Sequence, residues 1–151
     1  MEKSQVLSID SQLPGPVPAG FSPGGCRYSP RMVPVLIVDD ERLIRWSIAQ
    51  SLEAEGFPVL EAATAREALA CLGQRGDIGV VLLDLKLPDS SDLGLLRSLQ
   101  RQAPTARIIL MTAHGTADIL EEAVRAGAFR AVGKPFDMEA MVGIVRDAIA
   151  A

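Results

Sequence analysis

Five polar residues stand at the ends of short apolar runs in this chain. Asp39 and Asp40 close the run Val35–Val38, Asp84 closes Gly79–Leu83, Thr112 closes Arg107–Met111, and Lys134 closes Phe129–Gly133. Brought together, these would be three carboxylates, one hydroxyl and one ammonium. Clustered carboxylates repel and raise one another's pKa unless a cation sits among them. Mg²⁺ suits such a set, because it takes oxygen ligands and binds one or two carboxylates together with phosphate. Asp84 stands alone on its run, which makes it the candidate attacking carboxylate. Lys134 supplies a point charge for a phosphate oxygen, Thr112 a hydroxyl donor, and main-chain N–H groups after Asp84 further donors. The chemistry indicated is phosphoryl transfer, which asks a protein mainly for positioning and charge neutralisation. Any one of these residues alone reads more simply as a cap, a strand end or a solvated lysine. All of them at four strand ends together favour the chemical reading.

The elements that must position them follow from periodicity. β-Branched and leucine-rich runs bounded by turn residues read as buried parallel strands, at about 34–39, 59–62 and three further runs ending at Asp84, Thr112 and Lys134. Helical spacing of Leu43, Ile44, Ile48 and Leu52 predicts a helix from Glu41 to about Glu55, stopped by Gly56. Thr64-Ala-Arg-Glu67 has the spacing of a capping box for a second helix. A third helix is expected from about Asp92 to Gln102 after the turn at Pro88 and Asp89, and a fourth from about Thr116 to Ala126, ended by Gly127. Asp137 is the expected N-cap of a fifth, with Met138, Met141, Val142, Val145, Ala148 and Ile149 on one face. Five βα units of this length give an α/β domain with a doubly wound five-stranded parallel sheet. The expected strand order is 2-1-3-4-5, with ligands at the carboxyl edge.

Composition narrows the class. The 151 residues suffice for one domain with a real core, and 48% hydrophobic with 23% charged residues is ordinary for a globular chain. A net charge of −4 without a basic cluster argues against direct nucleic-acid contact. No apolar stretch is long enough to span a membrane and the N-terminus lacks a signal-peptide core, so the cytoplasm is the expected location. Residues 1–32 carry Pro14, Pro16, Pro18, Pro23 and Pro30 with four glycines and no periodicity. They read as a disordered extension, with Met32 favoured as the true start, and residues 33–151 read as the folded domain. Cys26 and Cys71 lack metal-ligand spacing and read as reduced thiols.

The motifs are more specific in combination. Val38-Asp39-Asp40-Glu41, Asp84-Leu-Lys-Leu-Pro88, Met111-Thr112-Ala113, Ala126-Gly127-Ala128 and Lys134-Pro135-Phe136 resemble those of response-regulator receiver domains of two-component systems. Ile44-Arg45-Trp46 and Thr112-Ala-His-Gly115 resemble receivers attached to nitrogen-regulation-type enhancer-binding activators. The resemblance covers residues 33–151 and implies a flavodoxin-like receiver architecture. It implies that Asp84 is the phosphoacceptor, Asp39 and Asp40 the acids that hold Mg²⁺ with Asp84, Thr112 the switch hydroxyl and Lys134 the pocket lysine, with a Lys134–Pro135 bond often cis. It further implies a phosphoprotein that acquires its phosphoryl group from a histidine kinase or phosphotransfer protein. Its chemistry would be confined to its own phosphorylation and dephosphorylation, so that it is not an enzyme acting on a separate substrate. The expected partners are a downstream protein target or output domain, and a second copy in a phosphorylation-dependent homodimer.

Two positions depart from the family. Ala131 stands where a Tyr or Phe commonly lies three residues before the lysine, and a methyl group cannot perform an aromatic rotamer switch. Asp92 stands where Gly is usual after the loop proline, which predicts an altered acceptor loop. A receiver-like docking module with impaired switching is therefore a second reading, and the receiver of a larger transcription activator a third. A phosphatase resembling the haloacid dehalogenases would need a second Asp where Lys86 stands, and no dinucleotide or Walker loop is present. Lys86 and His114 stand where the family's residues flank the site and tune phosphate hydrolysis; for His114 a solvated bystander is an equal reading and a catalytic base the least favoured. Trp46 is expected to pack its ring, and Arg45 and Arg66 to lie on solvated helix faces.

Overall fold

The computed structural model describes residues 33–90, 92–113 and 115–151. The expectations for residues 1–32, for Cys26 and for His114 lie outside the described residues. Strands and helices alternate: β1 (Val35–Val38), α1 (Arg42–Ala54), β2 (Val59–Ala62), α2 (Ala65–Gln74), β3 (Val80–Asp84), α3 (Gly94–Gln102), β4 (Arg107–Thr112), α4 (Ala117–Arg125), β5 (Arg130–Gly133) and α5 (Met138–Ala150). Every strand pair is parallel and the order across the sheet is β2-β1-β3-β4-β5, as expected.

Strand residues divide by parity between two cores. Leu36, Val38, Val81, Leu83, Ile108 and Leu110 face α2, α3 and α4. Val35, Ile37, Val80, Leu82, Ile109 and Met111 face α1 and α5. The register pairs Leu36 with Val81 and Val81 with Ile108, so residues of one face lie side by side across the sheet. Because both faces are covered, β1 is apolar throughout and β3 and β4 are apolar over Val80–Leu83 and Ile108–Met111, with polar residues only at the strand ends.

Helix boundaries follow local chemistry. Gly56 (φ 95°) ends α1 and Gly127 (φ 113°) ends α4, both in the left-handed region that glycine enters without a Cβ clash. Thr64 Oγ1 accepts the Glu67 N–H at 3.1 Å, and Glu67 Oε1 accepts the Ala63 N–H at 2.7 Å, one residue outside the usual capping-box partner. Asp137 caps α5 by accepting the Ala140 N–H at 3.2 Å. The third helix begins at Gly94 rather than Asp92, because the Asp92 carboxylate folds back to accept the Gly94 N–H at 2.9 Å.

Two expectations for α1 fail. Leu43 is 73% exposed and Trp46 is 55% exposed. The buried stripe of α1 is Ile48, Ala49 and Leu52, with Ile44 at its edge. At about 100° per residue, Leu43 and Trp46 rotate off that stripe. Cys71 is half-buried against the α2–α4 core. Among the described residues, no helix is long and apolar enough to cross a membrane.

Candidate functional site

Parallel strands deliver their last residues to one edge of the sheet. Asp39 and Asp40 follow β1, Asp84 ends β3, Thr112 ends β4, and Lys134 follows β5, its N–H bonded to the Thr112 carbonyl at 2.7 Å. Carboxylate oxygens of Asp39, Asp40 and Asp84 all lie within 4.8 Å of one another. Asp39, Asp84 and Thr112 are buried while Asp40 is exposed. The four strand ends open into a cavity of about 510 Å³ whose walls include Asp40, Glu41, Asp84, Lys86, Thr112 and Lys134. Gly115 packs over this edge so closely that a Cβ there would lie 3.0 Å from Thr112 Cγ2.

Lys134 is the counter-charge. Its Nζ donates to Asp39 Oδ2 at 2.9 Å and to Glu41 Oε1 at 3.4 Å, and lies 3.4 Å from Asp84 Oδ2. Its side chain is only 9% exposed, so its attractions to the buried Asp39 and Asp84 act with little solvent screening. Burial alone would lower the ammonium pKa, but the Asp39 hydrogen bond and the charges of Asp39 and Asp84 raise it overall. Asp84 moves the other way from most carboxylates in proteins. Burial, and then the charge of Asp39, push its carboxyl up to about 6, against the pull of Lys134 and of the Lys86 N–H. That N–H reaches Asp84 Oδ1 at 3.3 Å. The second Asp39 oxygen, Oδ1, is taken by the Glu41 N–H at 2.8 Å, which fixes the carboxylate with both oxygens bonded.

The donor set is oxygen only, anionic and open on one side. These are the properties a hard divalent cation such as Mg²⁺ requires, and such a cation would offset both the burial of the Asp84 carboxylate and the charge of Asp39, which hold it near 6.

Glu41 and Arg45 extend the site beyond the residues expected to form it. Arg45 is not a solvated helix residue. Its side chain is 16% exposed, its Nη1 donates to the Asp39 carbonyl at 2.6 Å, and its Nε donates to Glu61 Oε1 at 2.9 Å. Arg45 thus ties α1 and β2 to the backbone of the first site acid. A signal was present in the chain: Arg45 lies one helical turn after Glu41, and Glu61 is the one charged residue of β2. Arg66 is exposed, as expected. The Lys134–Pro135 peptide bond is cis. Ala131 is half-buried against the α2–α4 core.

Residues 35–146 match the response regulator receiver domain. The chain belongs to the response-regulator receiver family. Similar curated proteins include the DNA-binding transcriptional regulator NtrC of Salmonella typhimurium, 34% identical over 115 residues that make up 76% of this chain and 24% of that protein. The transcriptional regulatory protein FixJ of Azorhizobium caulinodans is 34% identical over 78% of this chain and 55% of its own length. This receiver chain therefore spans about a quarter of the NtrC relative and about half of FixJ. Among solved structures, a CheY-like receiver domain protein from Methanospirillum hungatei superposes with a TM-score of 0.74 at 30% identity, covering 79% of this chain and 94% of that one. The beryllofluoride-activated NtrC4 receiver dimer superposes with a TM-score of 0.74 at 31% identity, covering 79% and 98%. The receiver fold inferred from the motifs is thus the fold observed.

Proposed function

We propose that this receiver is a phosphorylation switch in which Asp84 accepts a phosphoryl group from a histidine kinase or phosphotransfer protein. One observation carries the reading: a buried carboxylate faces an open cavity, with an ammonium 3.4 Å from one oxygen and a main-chain N–H 3.3 Å from the other. At neutral pH a carboxyl held near 6 is largely ionised and can act as the nucleophile. Asp84 forms a bond to phosphorus while the donor's N–P bond breaks, and the departing imidazole nitrogen keeps the electron pair and takes up a proton. Asp39, Asp40 and Asp84 would hold Mg²⁺, which when bound supplies positive charge opposite the transferring oxygens. Lys134 pairs with a phosphoryl oxygen in place of its bond to Asp84, and Thr112 donates its hydroxyl to another. The chemistry is confined to loading and slow hydrolysis on the chain's own residue.

Loading biases a pre-existing equilibrium at the β4 and β5 ends, and the altered face engages a downstream protein, an output domain or a second copy. The larger relatives include regulators described as DNA-binding, which supports an output in transcription control. A cytoplasmic location accords with this chemistry. Ala131 favours one alternative, a docking module whose acidic pocket no longer drives a shape change.

The test is the intact mass after incubation with Mg²⁺ and a small acyl phosphate, beside Asp84→Asn and a chelator control. One added phosphoryl group, dependent on both Mg²⁺ and Asp84, is expected. Uptake that survives Asp84→Asn removes Asp84 from the nucleophile role.

A further inference from the structure

Asp84 is followed by a loop, Leu85 to Ser90, that is fastened at three levels. At its inner end Leu85 N–H donates to the Met111 carbonyl at 3.0 Å and Lys86 N–H to Asp84 Oδ1 at 3.3 Å. In its outer half, Leu87 and Ser90 exchange main-chain bonds of 2.7 and 3.2 Å, closing a turn that contains Asp89, and the Leu87 side chain is buried. Within that turn the further fastening is a side chain. Asp89 Oδ1 accepts the Ala65 N–H at 2.8 Å, and Asp89 Oδ2 accepts the Arg66 N–H at 3.1 Å.

Ala65 and Arg66 open α2, and the first amides of a helix have no partner within it. The third amide, Glu67 N–H, is already taken by Thr64. So α2 is capped twice: by its own Thr64, and by a carboxylate more than twenty residues away on the loop that leaves Asp84. The second cap places both oxygens of one anion on two amides at the positive end of a helix, a charge-assisted arrangement. The two amide bonds hold the Asp89 carboxyl below its ordinary range.

Because Thr64 and Glu67 already order the start of α2, the distinctive effect of Asp89 falls on the loop. Four residues separate Asp84 from Asp89, and the Leu87–Ser90 turn closes around Asp89, so anchoring that turn to α2 constrains the direction of the Lys86 N–H at the loop's inner end. That amide faces the acceptor carboxylate and therefore any group carried on it.

We propose that Asp89 is a positioning residue for Asp84: by clamping the acceptor loop to the start of α2, it holds the Lys86 N–H on the carboxylate and prolongs the life of a phosphoryl group there. This rests on Asp84 being the phosphoacceptor.

The experiment compares Asp89→Ala, Asp89→Asn and Thr64→Ala with the unaltered protein. Amide hydrogen exchange by NMR is read without any phosphodonor, and the hydrolysis rate of the acyl phosphate is read after loading with Mg²⁺ and a small acyl phosphate. Thr64→Ala removes a cap of the same helix without touching the loop, so it reports what loss of α2 capping alone does. The clamp predicts that exchange at Lys86 rises roughly tenfold in Asp89→Ala and stays unchanged in Thr64→Ala. Hydrolysis should quicken about threefold or more only in the Asp89 variants, with Asp89→Asn intermediate because its amide keeps one acceptor oxygen. Equal exchange at Lys86 in Asp89→Ala and Thr64→Ala overturns the clamp. Raised exchange with unchanged hydrolysis overturns the link to phosphoryl lifetime. Failure of the unaltered protein to load overturns the Asp84 reading and that link with it, while the exchange comparison still decides whether Asp89 holds the loop.

Discussion

Replacing Asp84 by Asn should stabilise the metal-free domain at neutral and alkaline pH, by an amount the site geometry sets. Folding moves the Asp84 carboxyl from 3.8 up to about 6. Between those values the folded state binds the proton more tightly than the unfolded state, so stability falls as pH rises, and above about pH 7 the whole cost is present. Each pH unit of that interval is worth about 1.4 kcal/mol, which puts the ceiling near ~3 kcal/mol. The site opens on one side, so solvent relaxes part of this and about 1–2 kcal/mol is expected. Asn is close in shape, keeps an acceptor for the Lys86 N–H, and leaves Lys134 its bonds to Asp39 and Glu41. For a domain of this size the gain corresponds to a Tm rise of roughly 4–8 °C. The assay is thermal or urea unfolding of both proteins with chelator at pH 8 and at pH 3, below the unfolded pKa, then at pH 8 with Mg²⁺. The advantage of Asp84→Asn should be full at pH 8, nearly absent at pH 3, and reduced by Mg²⁺, which stabilises the unaltered protein more. An equal advantage at both pH values, or none at pH 8, refutes the claim that an ionised, crowded Asp84 strains the metal-free fold.

Three further outcomes follow from the same geometry. Lys134→Ala leaves Asp39 and Asp84 buried without their counter-charge. It should cost about 2–4 kcal/mol in chelator, with Mg²⁺ restoring much of the loss, and NMR shift changes on phosphorylation should shrink if the lysine couples phosphate to shape. Arg45→Ala removes the donor to the Asp39 carbonyl and the partner of Glu61; a loss of about 1–2 kcal/mol and several-fold weaker Mg²⁺ binding by titration are expected, whereas Arg66→Ala should be silent in both. Ala131→Phe places a ring beside the roughly 570 Å³ groove bordered by Leu120, Val124 and Phe129. Its stability should stay within about 1 kcal/mol of the unaltered protein by urea unfolding, and a larger loss would show that the site is closed to an aromatic side chain.

The strand–helix alternation was legible because each central strand is covered on both faces and so has an unbroken apolar interior, a pattern that survives in one dimension. The capping residues Thr64, Thr116 and Asp137 were equally local, each acting on an amide three residues onward. The positions of Asp39, Asp84, Thr112 and Lys134 at strand ends, together with parallel pairing, were enough to bring them to one edge. Other features required the third dimension. Burial of Leu43 and Trp46 depended on which degrees of α1 the sheet covers, and helical spacing alone places several overlapping stripes on the same residues. Arg45 reaches the Asp39 carbonyl and Glu61, and Asp89 reaches the amides of α2, across gaps that no period in the chain records. The height of the Asp84 pKa likewise came from desolvation and from distances to Asp39 and Lys134. Residue types and spacing determined the fold and the chemistry available to it, because secondary structure is a local, periodic property. Tertiary packing decided which charges meet and how much water remains between them, because electrostatic energies depend on separation and burial rather than on position in the chain.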